Sequence, residues 1–174
     1  NNKIRRVAVA TGEVTTIAGS GTPGSADGVG DAAGFCGPAG IAISPDGGAL
    51  FVVDQGSEKI RQVEVATGAV TTLAGSGASG DADGVGDAAQ FYNPCGLAIS
   101  PDSSALFVAD GSSHKIRRME VATGEVTTVA GSGTMGSADG VGNAAEFVGP
   151  TEVALSPDGS TLLVGSEGGL RHVC

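Results

Sequence analysis

Three aspartates in one glycine-rich loop have a spacing that could hold a metal ion. Asp81, Asp83 and Asp87 lie in the string DADGVGD. Calcium binds several oxygen ligands from a flexible loop that bends at a glycine, so this loop is a candidate calcium site. Compared with an EF-hand loop, Val85 stands at the third ligand position and Tyr92 at the position of the bidentate glutamate. The alternative is a turn whose glycines adopt positive φ and whose Asp87 caps a helical turn.

The sequence offers little other material for catalysis. The two histidines, His114 and His172, are fewer than the three or four ligands of a usual zinc site. There is no GxSxG motif for a nucleophilic serine, and the glycine string GSGTPGSADGVG lacks the lysine of a Walker motif. Glu152 replaces the Gly40 and Gly96 of the equivalent segments, and one carboxylate does not make a site. We therefore predict no catalytic residue and no cofactor, apart from the calcium candidate.

Composition and charge exclude several classes of protein. The chain has 174 residues, of which 40% are hydrophobic, and this is enough to bury the core of one domain. A net charge of −10 argues against a nucleic-acid partner, because phosphate binding depends on clustered Lys and Arg. No apolar run approaches the roughly 20 residues that cross a bilayer, so no membrane insertion is expected. The start at Asn1 rather than Met suggests a segment of something longer.

A repeat with a period of 56 residues dominates the sequence. KIRRVAVATGEVTTIAGSG begins at Lys3, and close copies begin at Lys59 and Lys115. The same offset relates SADGVGDAAGF, DADGVGDAAQF and SADGVGNAAEF, and it relates the three segments that contain Ser-Pro-Asp. A fixed period of this length is typical of repeat architectures.

Each repeat predicts four short strands. GIAIS and ALFVVD flank a Ser-Pro-Asp turn, and KIRRVAVA and EVTTIAG flank a Thr-Gly turn. A DAAxF or NAAxF string ends the glycine-rich stretch and predicts one short helical turn. Four-stranded units repeated at a fixed period stack radially as propeller blades. The predicted fold is an all-β propeller of four-stranded antiparallel blades, with about three blades in this chain.

The string PxGIAISPDGxxLFVVDxxxxKIRxV, preceded by GSADGVGDAAxF, resembles the NHL-repeat β-propeller family in its long-repeat variety. The resemblance covers essentially the whole chain. It implies that the first strand of each blade lines the central channel and that the fourth lies outermost. Similar six-bladed propellers include lactonases and an amidating lyase, whose metal sites are built from channel-facing side chains.

Two sets of side chains are predicted to have structural roles. Periodic phenylalanines suggest packing keys between blades, and the arginines of the KIRR segments suggest bidentate pairs with acids at strand ends. The structural prediction pairs Arg5, Arg61 and Arg117 with nearby acids such as Asp54 and Asp110. The alternative is that the nine basic residues form a stripe that recruits an acidic partner. The predicted structural residues are Phe35, Phe91, Phe147, Arg61, Arg117, Asp54 and Asp110.

Three blades do not close a propeller, which needs about four to eight. The predicted arrangement is a single propeller segment over 1–174, with blades at about 37–76 and 93–132 and a split blade formed by 1–19 with 149–174. It would be half of a six-bladed ring, completed by a second copy or by flanking blades.

The favoured function is a non-enzymatic scaffold or interaction module that binds a protein or glycan ligand. The alternatives are a fragment of a lactonase or lyase and a subunit of an extracellular fibre or surface assembly. Glycine richness and acidity favour an extracellular location, although Cys36, Cys95 and Cys174 do not reveal the redox compartment or their disulfide state.

Overall fold

The described part of the chain is built from short β-strands. A computed structural model describes residues 1–166 and 169–173, the last five by their backbone alone. Its strands are β1 (Ile4–Val7), β2 (Val14–Ala18), β3 (Gly28–Val29), β4 (Pro38–Ile43), β5 (Ala49–Asp54), β6 (Lys59–Glu64), β7 (Ala69–Ala74), β8 (Gly84–Val85), β9 (Pro94–Ile99), β10 (Ala105–Asp110), β11 (Lys115–Glu120), β12 (Glu125–Ala130), β13 (Pro150–Leu155), β14 (Leu162–Ser166) and β15 (Gly169–Val173). No helix in these residues is long and apolar enough to cross a membrane.

The strands form four antiparallel sheets in chain order. Sheet I contains β1 and β2, and sheet II has the order β3-β7-β6-β5-β4. Sheet III repeats this order as β8-β12-β11-β10-β9, and sheet IV has the order β13-β14-β15. The register repeats as well, since Val52 pairs with Arg61 in sheet II and Val108 pairs with Arg117 in sheet III.

The predicted all-β propeller fold of antiparallel blades is confirmed, with one addition. Sheets II and III have five strands rather than four, because two residues of each preceding glycine-rich stretch pair along the outer strand. The two-residue strands β3 and β8 therefore link each complete sheet to the unit before it. A periodicity of two residues could not show them, since a two-residue strand has no alternating pattern to detect.

The short helical turn is present in each repeat, but the predicted aspartate cap is wrong. Three-residue 3₁₀ turns span Gly30–Ala32, Gly86–Ala88 and Gly142–Ala144. Asp87 lies inside its turn, and the N-cap position is occupied by Val85 without a side-chain hydrogen bond. The glycine that opens the turn takes the left-handed conformation, for example Gly86 at φ 59°, and the aspartate lies two residues past the cap.

The hydrophobic cores lie between successive sheets. One cluster joins Ile4 and Ala18 of sheet I to Val52 and Val63 of sheet II. The next two clusters join sheet II to sheet III and sheet III to sheet IV. Sheets II and III are thus apolar on both faces, as expected for a blade that has neighbours on both sides.

Candidate functional site: buried arginine clusters and open sheet faces

Arg61 is the centre of a buried polar cluster between sheets I and II. Its side chain is fully buried. Nη1 donates to the Asp54 carboxylate at 3.0 Å and to the Gly34 carbonyl at 3.1 Å. Nη2 donates to the Asp27 carboxylate at 2.8 Å and to the Ala26 carbonyl at 3.1 Å. The planar fork of arginine can satisfy four acceptors at once, which a lysine ammonium cannot do with this geometry. We call these residues the Arg61 cluster.

The same cluster recurs 56 residues later between sheets II and III. Arg117 is fully buried and binds Asp110 at 2.8 Å and Asp83 at 2.7 Å. It also donates to the carbonyls of Gln90 and Ala82. We call this set the Arg117 cluster. Because two sheets reproduce the same four contacts, the cluster is a property of the repeat rather than of one site.

A phenylalanine covers each guanidinium. The Arg61 guanidinium lies 5.3 Å from the ring centroid of Phe35, and that of Arg117 lies 5.5 Å from the ring centroid of Phe91. Both rings are fully buried, and Phe147 is 3% exposed in the core between sheets III and IV. A cation over an aromatic face is attracted by the ring quadrupole, most strongly where water is excluded. The structure therefore brings the predicted phenylalanines and arginines together in one packing unit.

The glycine-rich loop is tied to the following sheet through one aspartate. Asp27 accepts hydrogen bonds from the backbone N–H and the hydroxyl of Thr72 in β7, in addition to Arg61. Asp83 binds Thr128 and Arg117 in the same way. Sequence reasoning missed this role of the loop aspartates. The available signal was the identical 34-residue separation of each aspartate from its arginine.

The calcium candidates do not converge on one point. Asp83 faces Arg117, and Asp81 forms an ion pair of 2.6 Å with the Lys115 ammonium. Asp87 lies in the 3₁₀ turn. Within the described residues, no group of three or more His, Cys, Asp or Glu is arranged to hold a metal ion. Two of the three carboxylates are thus already neutralised by cations.

The two aspartates around each arginine have opposite pKa shifts. Burial raises the pKa of Asp110 to about 6, although the hydrogen bonds from the Tyr92 amide and Arg117 lower it. Burial also raises the pKa of Asp54. Burial acts to raise the pKa of Asp83, but the bonds from Arg117 and Thr128 outweigh it, so this pKa is lowered. Asp83 therefore neutralises Arg117 in mildly acidic solution, whereas Asp110 ionises only near pH 6.

The raised pKa of Asp110 predicts that the free energy of unfolding decreases as pH rises from about 4 to about 6. The folded pKa of Asp110, about 6, exceeds the unfolded value of 3.8, so the folded chain retains a proton that the unfolded chain has lost. The contribution of Asp110 to the free energy of unfolding is consequently lost as pH rises through this window, by at most about 3 kcal/mol. The lowered pKa of Asp83 acts oppositely, and its contribution is lost as pH falls below about 4.

Urea unfolding at a series of pH values measures how the free energy of unfolding changes with pH. Asp110→Ser, which introduces the residue that occupies position 166 in the third repeat, is the matched variant and should flatten the curve between pH 4 and 6. A carboxyl NMR titration of Asp110 with a midpoint below pH 4 would contradict the prediction.

The first and last sheets differ from the complete ones. The predicted ion pair of Arg5 is wrong for the described residues. Arg5 is the equivalent of Arg61, but it is exposed, and no ion pair of the described residues includes it, because sheet I lacks a strand equivalent to β5 there. In sheet IV, Ser166 occupies the place of Asp110, and Arg171 pairs with Val164 as Arg117 pairs with Val108. The side chain of Arg171 lies outside the described residues.

The histidines and cysteines do not form a common site in the described residues. The Nδ1 atom of His114 accepts a hydrogen bond from the Gly149 amide at 3.1 Å, which joins sheet III to the start of sheet IV. Cys36 and Cys95 are free thiols, and burial raises the pKa of Cys95. The side chain of His172 and the whole of Cys174 lie outside the described residues.

The inner strands β4, β9 and β13 approach one another through glycines. A Cβ atom on Gly40 would lie inside contact distance of the Cys95 carbonyl oxygen and 3.1 Å from the Gly96 Cα. A Cβ atom on Gly96 would lie 2.7 Å from the Thr151 carbonyl and 2.8 Å from the Glu152 Cα. The repeated glycine is therefore required by the sheet that follows it.

Comparison with known proteins agrees with this architecture, although no family model matches the chain. A structural-genomics protein of unknown function from Bacteroides thetaiotaomicron superposes with a TM-score of 0.80 at 22% identity, over 99% of this chain and 42% of that one. An auxiliary nutrient binding protein from the same species gives a TM-score of 0.75 at 21% identity, over 98% and 43%. These likenesses show the fold, which is that of the β-propellers.

Relatives in sequence show which family of β-propellers the chain resembles. NHL repeat-containing protein 2 of Bos taurus is 34% identical over 152 residues, which are 81% of this chain and 20% of that protein. The Homo sapiens protein of the same name is 36% identical over 110 residues, which are 58% of this chain and 15% of that protein. The chain belongs to the NHL-repeat β-propeller family. It spans a fifth or less of the length of these two relatives.

Proposed function

We propose that this chain is part of a non-enzymatic NHL-repeat propeller that serves as a scaffold or interaction module. Its remaining blades come from a second copy or from flanking sequence. Two features of sheets I and II support completion by further blades. One is an apolar face that has no neighbour at the channel side, and the other is a strand edge with an exposed arginine beside it.

The apolar face is recognised by comparing equivalent residues. Ile41 of β4 is 53% exposed, whereas its equivalents Leu97 and Val153 are each 7% exposed. Leu97 is covered by Phe51 and Val53 of the preceding sheet, and in the part of the chain that the structure describes, sheet I has no such strand in front of Ile41. Ile43 is 55% exposed on the same face. Large side chains left open in this way mark a surface that is covered by a partner.

The strand edge belongs to β1. In sheet II, β6 pairs with β7 on one side and with β5 on the other, whereas among the described strands β1 pairs with β2 alone. The missing neighbour is thus a strand equivalent to β5. Such a strand would end in an aspartate at the position of Asp54, within reach of Arg5. The same element, an inner hairpin of an NHL repeat, would therefore pair with the free edge of β1 and cover the exposed face at Ile41.

A duplicated hairpin tests this proposal. A copy of residues 37–56 fused directly before Asn1 preserves the 56-residue phase and supplies equivalents of β4 and β5. We expect the amides of β1 to exchange with solvent at least tenfold more slowly, because the new strand pairs with them and its aspartate binds Arg5. The measurement is hydrogen exchange followed by mass spectrometry.

The matched control carries the same fusion with its copy of Asp54 changed to Ala. It should keep part of the protection, because the strand pairing remains while the ion pair is lost. Unchanged exchange of β1 in both fusions would contradict the proposal.

A protein or glycan ligand bound by the loops of one rim is part of the same proposal. Scaffold propellers and propeller enzymes share one fold, so the fold does not choose between them. The scaffold role is favoured because sheets II and III repeat the same buried contacts, whereas a catalytic site needs different side chains on different blades.

A further inference from the structure

The outward face of sheet IV differs from the faces through which sheets II and III contact their successors. In sheets II and III this face presents a glycine on the inner strand, a phenylalanine, and a small apolar residue on the second strand. The three positions are Gly40, Phe51 and Val53 in sheet II, and Gly96, Phe107 and Ala109 in sheet III. In sheet IV the same positions are Glu152, Leu163 and Gly165. All three junction positions have changed together.

The change at position 152 is incompatible with the junction geometry of the other sheets. The successor's inner strand places a backbone carbonyl where the Cβ atom of Gly40 would lie, and a second one 2.7 Å from where that of Gly96 would lie. Glu152 carries a Cβ atom, which lies 3.5 Å from where a Cβ atom of Gly165 would be, whereas its carboxylate turns back toward Gly96 of sheet III. A further inner strand stacked with the same offset would therefore overlap Glu152.

The backbone of sheet IV has adjusted to the glutamate. In sheets II and III the inner strand has an irregularity around the glycine, so that Gly40 and Gly96 have no partner in the ladder. In sheet IV, Glu152 pairs directly with Gly165. In sheet IV the glycine of this pair of positions is therefore on the second strand, whereas in sheets II and III it is on the inner strand. The position that holds buried Val53 or Ala109 in the other sheets no longer offers a side chain to a successor.

From these observations we infer that Glu152 prevents a second copy of this chain from stacking on sheet IV. In a ring of two copies, the inner strand β4 of the second copy would face β13, and its Ala39 carbonyl would meet Glu152. The blade that covers sheet IV therefore has a different inner-strand sequence, one that stands away from β13 and leaves room for the Cβ atom of Glu152. This inference rests on the proposed completion by further blades and selects between its two forms.

Sedimentation velocity of the 174-residue chain tests the inference. The variant Glu152→Gly, Leu163→Phe, Gly165→Val restores the face of sheet II. We expect it to form at least tenfold more of the two-chain species than the unaltered chain at equal concentration. Glu13→Gln removes a negative charge from an exposed turn position and should leave the distribution unchanged.

Two results would overturn the inference. One is a triple variant with the same mass distribution as the unaltered chain. The other is an unaltered chain that already forms the two-chain species with the amides of β13 protected from exchange.

A glutamate introduced at position 40 tests the inference even if the triple variant does not fold. Gly40→Glu places the side chain at the junction of β4 with β9, which is closed in this structure. We expect the amides of β9 to lose at least tenfold of their protection, and Glu13→Gln, at an exposed position before β2, should leave β9 unchanged. Full protection of β9 in the Gly40→Glu variant would remove the steric basis of the inference. Neither outcome depends on sheet I, so failure of the hairpin fusion is distinguishable from failure here.

Discussion

Arg61→Ala is expected to lower the free energy of unfolding by about 3 to 5 kcal/mol, the usual cost of removing one partner from a buried ion pair. The substitution removes four hydrogen bonds at once. It leaves Asp54 fully buried with only the Cys36 amide and its own turn as partners, and burial disfavours the carboxylate form. Chemical denaturation at neutral pH measures the loss.

Arg5→Ala is the matched control for this prediction. Arg5 occupies the equivalent position in β1, but it is exposed and has no ion pair among the described residues. Its removal should change stability by no more than about 0.5 kcal/mol. If both substitutions had equal effects, burial and pairing of Arg61 would not be the source of its contribution.

Arg61→Lys separates charge from geometry. The ammonium keeps the positive charge but cannot reach Asp54, Asp27 and two carbonyls from one plane. A loss nearly as large as that of the alanine variant would show that the fork, rather than the charge alone, holds the loop against sheet II.

Gly40→Ala is expected to destabilise the chain by about 3 kcal/mol through overpacking of the junction between β4 and β9. The added methyl group would overlap the Cys95 carbonyl and lie 3.2 Å from the Leu97 amide nitrogen. These neighbours are backbone atoms, so relief requires one inner strand to move. We expect Leu97, which is buried in the core between sheets II and III, to become accessible, and hydrogen exchange of β9 reports this directly.

Gly48→Ala is the corresponding control. The nearest atoms to a Cβ at Gly48 belong to the flexible Asp46 side chain, at 3.4 Å or more. The position does not have positive φ, so alanine fits without strain. An effect of Gly40→Ala no larger than that of Gly48→Ala would contradict the close approach of the inner strands.

Contacts between successive sheets stabilise this chain as much as the hydrogen bonds within each sheet. The Arg61 and Arg117 clusters bind the first two glycine-rich loops to the sheets that follow them, and the inner glycines let successive sheets approach. Junctions of this kind transmit position along the array, which suits a scaffold. In the described residues, the sheet faces at Ile41 and at Glu152 have no such neighbouring sheet.

Local sequence patterns were enough for the strands and their turns. The predicted segments correspond to β4 through β7 and to their repeats because alternation and Ser-Pro-Asp or Thr-Gly turns act over a few residues. Strand-end pairing of the arginines with Asp54 and Asp110 was also suggested locally, since each pair is separated by a short hairpin. The cap at Asp87 was wrong because the φ of Gly86 cannot be read from its neighbours.

The contacts across sheets were beyond local reasoning. Asp83 was grouped with Asp81 and Asp87 because they share a loop, whereas in the fold it binds Arg117, which is 34 residues away. Loop closure over this distance depends on how two sheets face each other, and no local periodicity encodes that relation.

The sequence by itself determined the repeat, the all-β architecture and the equivalence of the three units, because these follow from spacing and side-chain type. Only the tertiary structure decided which aspartate neutralises each arginine, why glycine is needed at positions 40 and 96, and how the glutamate at position 152 changes a junction. The physical reason is that identical residues acquire different environments when a neighbouring sheet is present on one face and absent from another.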